Sequence, residues 1–283
     1  MQSIYKIIAH LTSIVNAGYY YTKVMIILVI ISFFSIIHIT FAQTDFEGDI
    51  SGEWDIEGSP YIQIGEASVP ADESLTIQPG VEIVLGEELT FVVNGQILVE
   101  GSEEDTIRFI NTEGIRSLGI TLSNEIEDTI RFSYCRFDSL ENGIQSFDNS
   151  LIIENCRFVD CLNATDIRQG WARVQNCASF GTDPIRDSGK MLIGLHREMG
   201  GIYEVIGNTL TGHRNIAISV RGADSVYVSN NNSVKISMYL VQNVYISNNI
   251  ANAVIISECS EPSIVTENII GTVRVTRSNG STS

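Results

Sequence analysis

Basic side chains are scarce in this sequence. Its 283 residues include 17 Lys and Arg against 34 Asp and Glu, a formal net charge of −17. A surface of that sign repels phosphate backbones and anionic lipid heads, so nucleic acid is not expected as a partner. The shortage is greatest in residues 43–128, where 20 acids from Asp45 to Asp128 face two bases, Arg108 and Arg116. Residues 129–283 are nearly balanced, with 14 acids and 13 bases. A solvated acidic face that keeps an exported protein soluble accounts for this pattern. Divalent-cation binding is the sharper alternative, but Asp45, Asp49, Glu53 and Asp55 in DFEGDISGEWDIEG lack the alternating ligand-and-glycine order of a dedicated calcium loop. No cofactor is therefore expected, with calcium the one candidate ion.

Metal-ligand spacing is missing as well. Cys135, Cys156, Cys161, Cys177 and Cys259 form no CxxC or Cys/His pattern, which argues against zinc. An odd number in an exported chain cannot all pair internally, so free, buried and apolar thiols are expected. Nor does any stretch after the leader sustain ten or more residues at helical spacing, which excludes helical repeats. The Leu-x-x-Leu-x-Leu frame of leucine-rich repeats is absent too. What remains, at 44% hydrophobic residues, suits one globular domain or one array of repeats.

The N-terminus carries the one long apolar run, VMIILVIISFFSIIHI from Val24 to Ile39, preceded by Lys23 and followed by Thr40-Phe41-Ala42. Short residues before a cut after Ala42 fit a secretory signal over residues 1–42. Met25 is an alternative start. A retained anchor is the competing reading, although 16 residues fall short of the roughly 20 that span a bilayer comfortably. The mature protein is thus expected to be secreted or at the cell surface, with no membrane span once the signal is cleaved.

A repeat organises the rest. FSYCRF at 132–137, IENCRF at 153–158 and VQNCAS at 174–179 place Cys135, Cys156 and Cys177 at equal intervals of 21. The residue before each is Tyr134, Asn155 and Asn176, and the same slot is assigned downstream to Asn208, Asn230, Asn248 and Asn268. Periods near 20 demand stacking, because one unit is too short to bury its own apolar face. SLIIEN, VYVSNN, NVYISNN and PSIVTEN are short, β-branched and alternating, which is strand chemistry. A coil of about 20 residues per turn, each strand pairing with its copy roughly 4.8 Å away, is a parallel β-helix. Asn155, Asn176, Asn208, Asn230, Asn248 and Asn268 are read as one structural ladder whose amides satisfy buried turn groups. The cysteines are read as small inward fillers, and equal spacing keeps them parallel, which suits a disulfide poorly. Asn142, Asn163, Asn215 and Asn252 mark a second corner. The expected layout is a capping segment at 43–74, an all-β coil of about ten turns at 75–275 and a polar tail at 276–283.

The run GSPYIQIGEASVPADESLTIQPGVEIVLGEELTFVVNGQILVEGSEEDTIRF at 58–109, with Ser59-Pro60-Tyr61, Leu75-Thr76-Ile77, Pro79-Gly80-Val81 and Ile107-Arg108-Phe109, resembles the opening turns of secreted bacterial right-handed β-helix proteins of the pectin-lyase-like superfamily. That resemblance implies a right-handed solenoid and an extracellular polysaccharide or cell-surface glycan as partner. It also implies the alternative of a polysaccharide lyase or glycoside hydrolase acting on acidic polysaccharide. Lyases of this fold stack acidic calcium ligands and a base on one outward face. The slot before each Asn reads Ser133, Glu154, Gln175, Gly207, Ser229, Ser247 and Glu267, with no adjacent acids. Hydrolases need closely set carboxylates, and no Asp-Asp pair occurs on the central turns.

Two candidate sites follow. The longest interval contains SFGTDPIRDSGKMLIGLHREMGG at 179–201, read as an excursion from the coil. There Asp183, Asp187, Lys190 and Arg197, with Arg186, His196 and Glu198 nearby, are the catalytic candidates, since long loops on rigid scaffolds often carry function. The other candidate is the outward slot three residues before the ladder, read as Arg131, Ile152, Arg173, Val205, Tyr227, Tyr245 and Val265. Tyr227 and Tyr245, with Arg173, are the ligand-binding candidates, a platform for sugar rings set against the plainer role of cross-strand stabilisation. A non-catalytic glycan-binding or structural module, monomeric and without a metal, is the expected function.

Overall fold

A computed structural model describes residues 43–111, 115–123, 126, 128–181, 190–193, 201–212, 217–259 and 263–276, together with Lys23, Met25 and Ile26, which are helical. The chain divides into two units, Met1–Phe41 and Ala42–Ser283. The leader and its proposed cleavage point lie outside the described residues apart from those three helical positions. Among the described residues no helix is long and apolar enough to cross a membrane.

The second unit is an all-β parallel solenoid of about nine turns. One column holds ten strands, each paired in parallel with its copy on the next turn: Gly52–Trp54, Ser74–Ile77, Gln96–Glu100, Ile130–Ser133, Ser150–Glu154, Trp171–Gln175, Ile202–Ile206, Ser225–Ser229, Asn243–Ser247 and Ser263–Thr266. Ten strands bound nine turns, one fewer than expected. A second column follows each corner, through Ile107–Ile110, Cys135–Asp138, Arg157–Val159, Ala178–Gly181 and Thr209–Gly212. A third runs through Ser117–Leu122, Leu140–Phe147, Asn163–Arg168, Lys190–Ile193 and Ala217–Arg221. Long strands such as Asn232–Tyr239 and Ile250–Ser257 pass from the second column into the third without a break. Thr44–Asp49 and Gly52–Trp54 already pair with the strands of the next turn, so residues 44–54 belong to the coil.

Alternation explains why these segments are strands: in Ser150–Glu154 and Asn243–Ser247 every second residue is buried, as a half-buried pleat requires. The inward residues fill the coil. Phe109, Phe137 and Phe158 stack on successive turns, with ring centroids 5.1 and 4.9 Å apart and planes within 9° of parallel. Phe46, Trp54, Tyr61 and Phe91 form a second aromatic cluster in the first turns.

The corner after the first column reveals that the expected Asn ladder is two adjacent columns. Tyr134, Asn155, Asn176, Gly207, Asn230, Asn248 and Glu267 all have φ between 49° and 68°, the left-handed conformation that Asn and Gly adopt most cheaply. Each of the first six donates its backbone N–H to the carbonyl one turn on, at 2.9–3.3 Å. These residues are not a buried stack, and Asn176, Asn230 and Asn248 are exposed. The inward column is the next residue: Cys135, Cys156, Cys177, Asn208, Asn231 and Asn249, all buried, and half-buried Asn268. Of the six Asn expected in it, only Asn208 and Asn268 are there.

Here the amides do what the ladder reading required. Oδ1 of Asn231 accepts from the backbone N–H of Asn208 and from its Nδ2, at 2.9 and 3.0 Å. Asn249 does the same for Asn231, and Asn268 for Asn249. Each Nδ2 also donates back to the previous turn, to the carbonyls of Val174, Val205, Val228 and Ile246 at 2.8–3.0 Å. The thiols stand in the same geometry with weaker bonds: Cys156 Sγ to Phe132 O is 3.5 Å and Cys177 Sγ to Ile153 O is 3.6 Å. Cys135, Cys156, Cys161 and Cys177 are buried, free thiols. At the second corner Asn163 Nδ2 donates to Asn142 Oδ1 at 2.8 Å; Asn252 lies one position before Ala253, which holds the equivalent slot, and Asn215 lies outside the described residues.

The two columns respond differently to substitution. Asn231→Ala or Asn249→Ala removes the acceptor of a backbone N–H and one donor to each of two carbonyl groups, and each should lower stability by about 1–3 kcal/mol in denaturant titration. Asn176→Gly keeps the left-handed backbone and should cost less than about 1 kcal/mol. Equal losses at Asn231 and Asn176 would contradict this division.

Candidate functional site

The register places the proposed binding residues on the outward face of the first column. Reading along the axis, the central slot is Glu53, Thr76, Leu98, Arg131, Ile152, Arg173, Glu204, Tyr227, Tyr245 and Ile264. Glu204 and Ile264 replace the expected Val205 and Val265, because counting back from Asn208 and Asn268 was one residue out of phase. The slot before the corner likewise holds Ile206 and Thr266 rather than Gly207 and Glu267.

Tyr227 and Tyr245 are directly opposed, with ring centroids 4.7 Å apart and planes within 4°. Facing rings occupy each other's inner surfaces, so the pair presents its two outer faces and its edges rather than one continuous platform. Tyr227 is 42% exposed. Small polar residues border the pair on both sides, Ser225 and Asn243 on one and Ser229 and Ser247 on the other. The apolar character extends along the face: Ile202 and Ile264 are each 45% exposed, and Trp171 and Ile202 are in register on the adjoining slot.

Arg173 is held rather than free. Its Nε donates to Glu204 Oε2 at 2.6 Å, its guanidinium lies 5.6 Å from the Trp171 ring centre, and the Glu204 bond pushes its pKa up. Arg131 bridges Glu154 and Glu100, and Gln175 Nε2 donates to Glu154 Oε2 at 2.6 Å. The carboxylates of this face are therefore engaged by guanidinium or amide donors.

Of the catalytic candidates, Asp183, Asp187 and Arg197 lie outside the described residues, as do Arg186, His196 and Glu198. Lys190 does not sit on an excursion. It begins Lys190–Ile193, a third-column strand paired with Asn163–Arg168 before it and Ala217–Arg221 after it, so this part of the 179–201 segment is a rung of the coil. KMLI has a single β-branched residue, Ile193, and no polar–apolar alternation, which is why its strand character escaped the pattern. Among the described residues no group of three or more His, Cys, Asp and Glu is placed to hold a metal ion.

Comparison with protein-family models, with curated proteins and with solved structures finds no match to the chain. What the chain does must be argued from its own surface.

Burial also raises the thiol pKa values: Cys161 is pushed up to about 12, and Cys156 and Cys177 well above the ordinary range. The folded state keeps these protons at a pH where the unfolded chain, with thiols near 8.5–9, has lost them. Their contribution to stability is thus complete below about pH 8.5 and is lost as the pH rises toward the folded pKa. Melting temperature should fall between pH 9 and 11, and Cys161→Ala should make that fall shallower. Thiol-specific alkylation of the native protein at pH 8 should modify half-buried Cys259 before the four buried thiols, as read by mass spectrometry.

Proposed function

We propose that the coil is a secreted or cell-surface module that binds extended glycans without catalysing their cleavage, of the pectin-lyase-like, right-handed bacterial kind that its opening turns resemble. One observation carries this reading: the strip of part-exposed Trp171, Ile202, Tyr227, Tyr245 and Ile264, one residue on each of five successive turns of this face. An apolar strip rimmed by polar groups is the usual mark of an interaction surface. Its members recur at the strand spacing of about 4.8 Å, which suits an extended ligand crossing several turns. Serine and asparagine on either side of the tyrosines supply donors and acceptors for hydroxyl groups. The carboxylates of the same face sit in ion pairs, which favours binding over acid–base chemistry as the reading.

A panel of neutral oligosaccharides tested by calorimetry should reveal the ligand. Tyr227→Ala and Tyr245→Ala should each weaken binding by roughly 1–3 kcal/mol, the scale of aromatic stacking on planar bases. Arg131→Gln, away from the pair, should leave it unchanged. Release of unsaturated sugars from an acidic polysaccharide, faster with calcium, would replace this proposal with the lyase reading, and no binding across the panel would leave a structural role.

A further inference from the structure

The first and last described rungs of the coil are finished differently. The first, residues 44–54, is closed by rings: Phe46 and Trp54 stay buried there, with centroids 4.8 Å apart, against Tyr61 and Phe91 of the turns that follow. Its strands also carry four acids, Asp45, Glu47, Asp49 and Glu53, and no base. Charge along an edge is how sheets discourage further pairing. The last described rung has neither device. Its strands are Ser263–Thr266 and Ile269–Thr276, and residues 263–276 hold one acid, Glu267, and one base, Arg274.

The interior of that rung is open. On the turn before it Val254 and Ile256 are buried, at 0% and 2% exposure, whereas their copies on the same inward face, Val273 and Val275, are 52% and 59% exposed. The polar column stops at the same place. In earlier turns the left-handed residue gives its N–H to the next turn's carbonyl, and the N–H after it goes to an Asn Oδ1. Among the described residues the N–H groups of Glu267 and Asn268 have no such acceptor, and the outer edge of Ile269–Thr276 has no strand partner. Arg277 to Ser283 read RSNGSTS, with no apolar side chain to supply the missing layer. Apolar interior and unpaired backbone laid bare together are a template for another strand.

We infer that this surface is covered by the same rung of a second copy, end to end, so that the protein forms a two-fold dimer. The rung is charge-neutral, so two of them meet without repulsion, whereas pairing at the first rung would set carboxylates against carboxylates. Stacking the last rung on the first is opposed by the rings of Phe46 and Trp54, which already close that end. With one end sealed, association through the other is isologous and stops at two chains instead of growing into a fibre. A two-fold axis that lays interior on interior reverses the strand, so Ile269–Thr276 meets its copy antiparallel and Val273 and Val275 enter a core shared by the two coils. Residues 263–276 are fewer than the roughly 20–30 a side of a standard interface, which places the dimer in the weak, micromolar class. The inference rests on the rung's interior and does not depend on glycan binding by the outer strip.

Sedimentation velocity on the full chain across the micromolar range reads the result. The mass should rise from one chain to two with concentration and go no further. Val273→Asp and Val275→Asp should each weaken association about tenfold or more, because an unpaired carboxylate is costly to bury. Both valines are exposed in a single coil, so the melting temperature of the dilute variants should move little. Asp45→Asn, at the closed end, should associate as the wild type does. Hydrogen exchange of the wild type locates the contact without any substitution: amides of residues 267–276 should slow between dilute and concentrated protein, and those of residues 44–54 should not. One chain at every concentration, growth beyond two chains, or slowing confined to another surface would overturn the inference. So would a Val273→Asp protein that pairs as the wild type does, the outcome that association through the apolar leader would give.

Discussion

Every turn of this coil depends on what happens to the backbone groups at the corner after the first column. After the left-handed residues Asn176, Gly207, Asn230 and Asn248, the next N–H is met by an Asn Oδ1 of the following turn, and a buried amide left unpaired costs about 1–3 kcal/mol. The solution is a column of side chains that each accept from one turn and donate to another. Asn208, Asn231, Asn249 and Asn268 do this with an amide, using both its oxygen and its nitrogen. Cys135, Cys156 and Cys177 supply the donating half with a thiol, at 3.5 Å and more to the previous turn's carbonyl. The two halves of the column meet where Asn208 Oδ1 accepts from the N–H of Cys177 at 2.9 Å.

The weaker polar half coincides with the stronger apolar one. Two residues after Cys135 and Cys156 stand Phe137, stacked on Phe109, and Phe158, stacked on Phe137; after Cys177 the position is the buried Ser179, where the ring stack ends. After the amides the equivalent interior positions are Leu210, Ser233, Ala251 and Ile270, none of which can stack. The central turns lean on ring contact and burial, worth about 1.5–3 kcal/mol per large side chain, whereas the later turns lean on hydrogen bonds. A thiol is at home beside rings, because it gives up little by leaving water.

Strand character, the parallel coil and its period were legible because they rest on alternation and spacing, which a local reading measures directly. The phase of the ladder was not. Asn230-Asn231 and Asn248-Asn249 are doublets, so an Asn could be counted in either column, and the slot chosen was the left-handed one. The signal that resolves the ambiguity was present: Tyr-Cys, Asn-Cys, Asn-Cys, Gly-Asn, Asn-Asn, Asn-Asn and Glu-Asn align only if Asn succeeds Cys. That single residue of phase also exchanged Glu204 for Val205 on the outer face, and with it the partner of Arg173. The row of Arg108, Arg136 and Arg157, which share one outward slot on three successive turns of the second column, was invisible for a different reason. Arg108 precedes the repeat that Cys135 and Cys156 define and is separated from Arg136 by a longer turn, so only the pairing of Cys135–Asp138 with Ile107–Ile110 brings it into line.

A solenoid turns local sequence into surface order in a way that compact folds do not. Side chains at one slot repeat at the strand spacing whether or not a ligand exists, so a column of like residues has to be weighed by what the repetition costs. Stacked tyrosines gain from each other, and their adjacency by itself says little about a ligand. Alternating Arg131 and Glu154, or Arg173 and Glu204, also gain. Three arginines in a row lose, and the side chains around them reduce that loss only in part, since Glu82 and Asp138 answer two of the three. Among the described residues Arg157 is the one member of that row without a carboxylate partner, so the row is less compensated than the columns in which charges alternate.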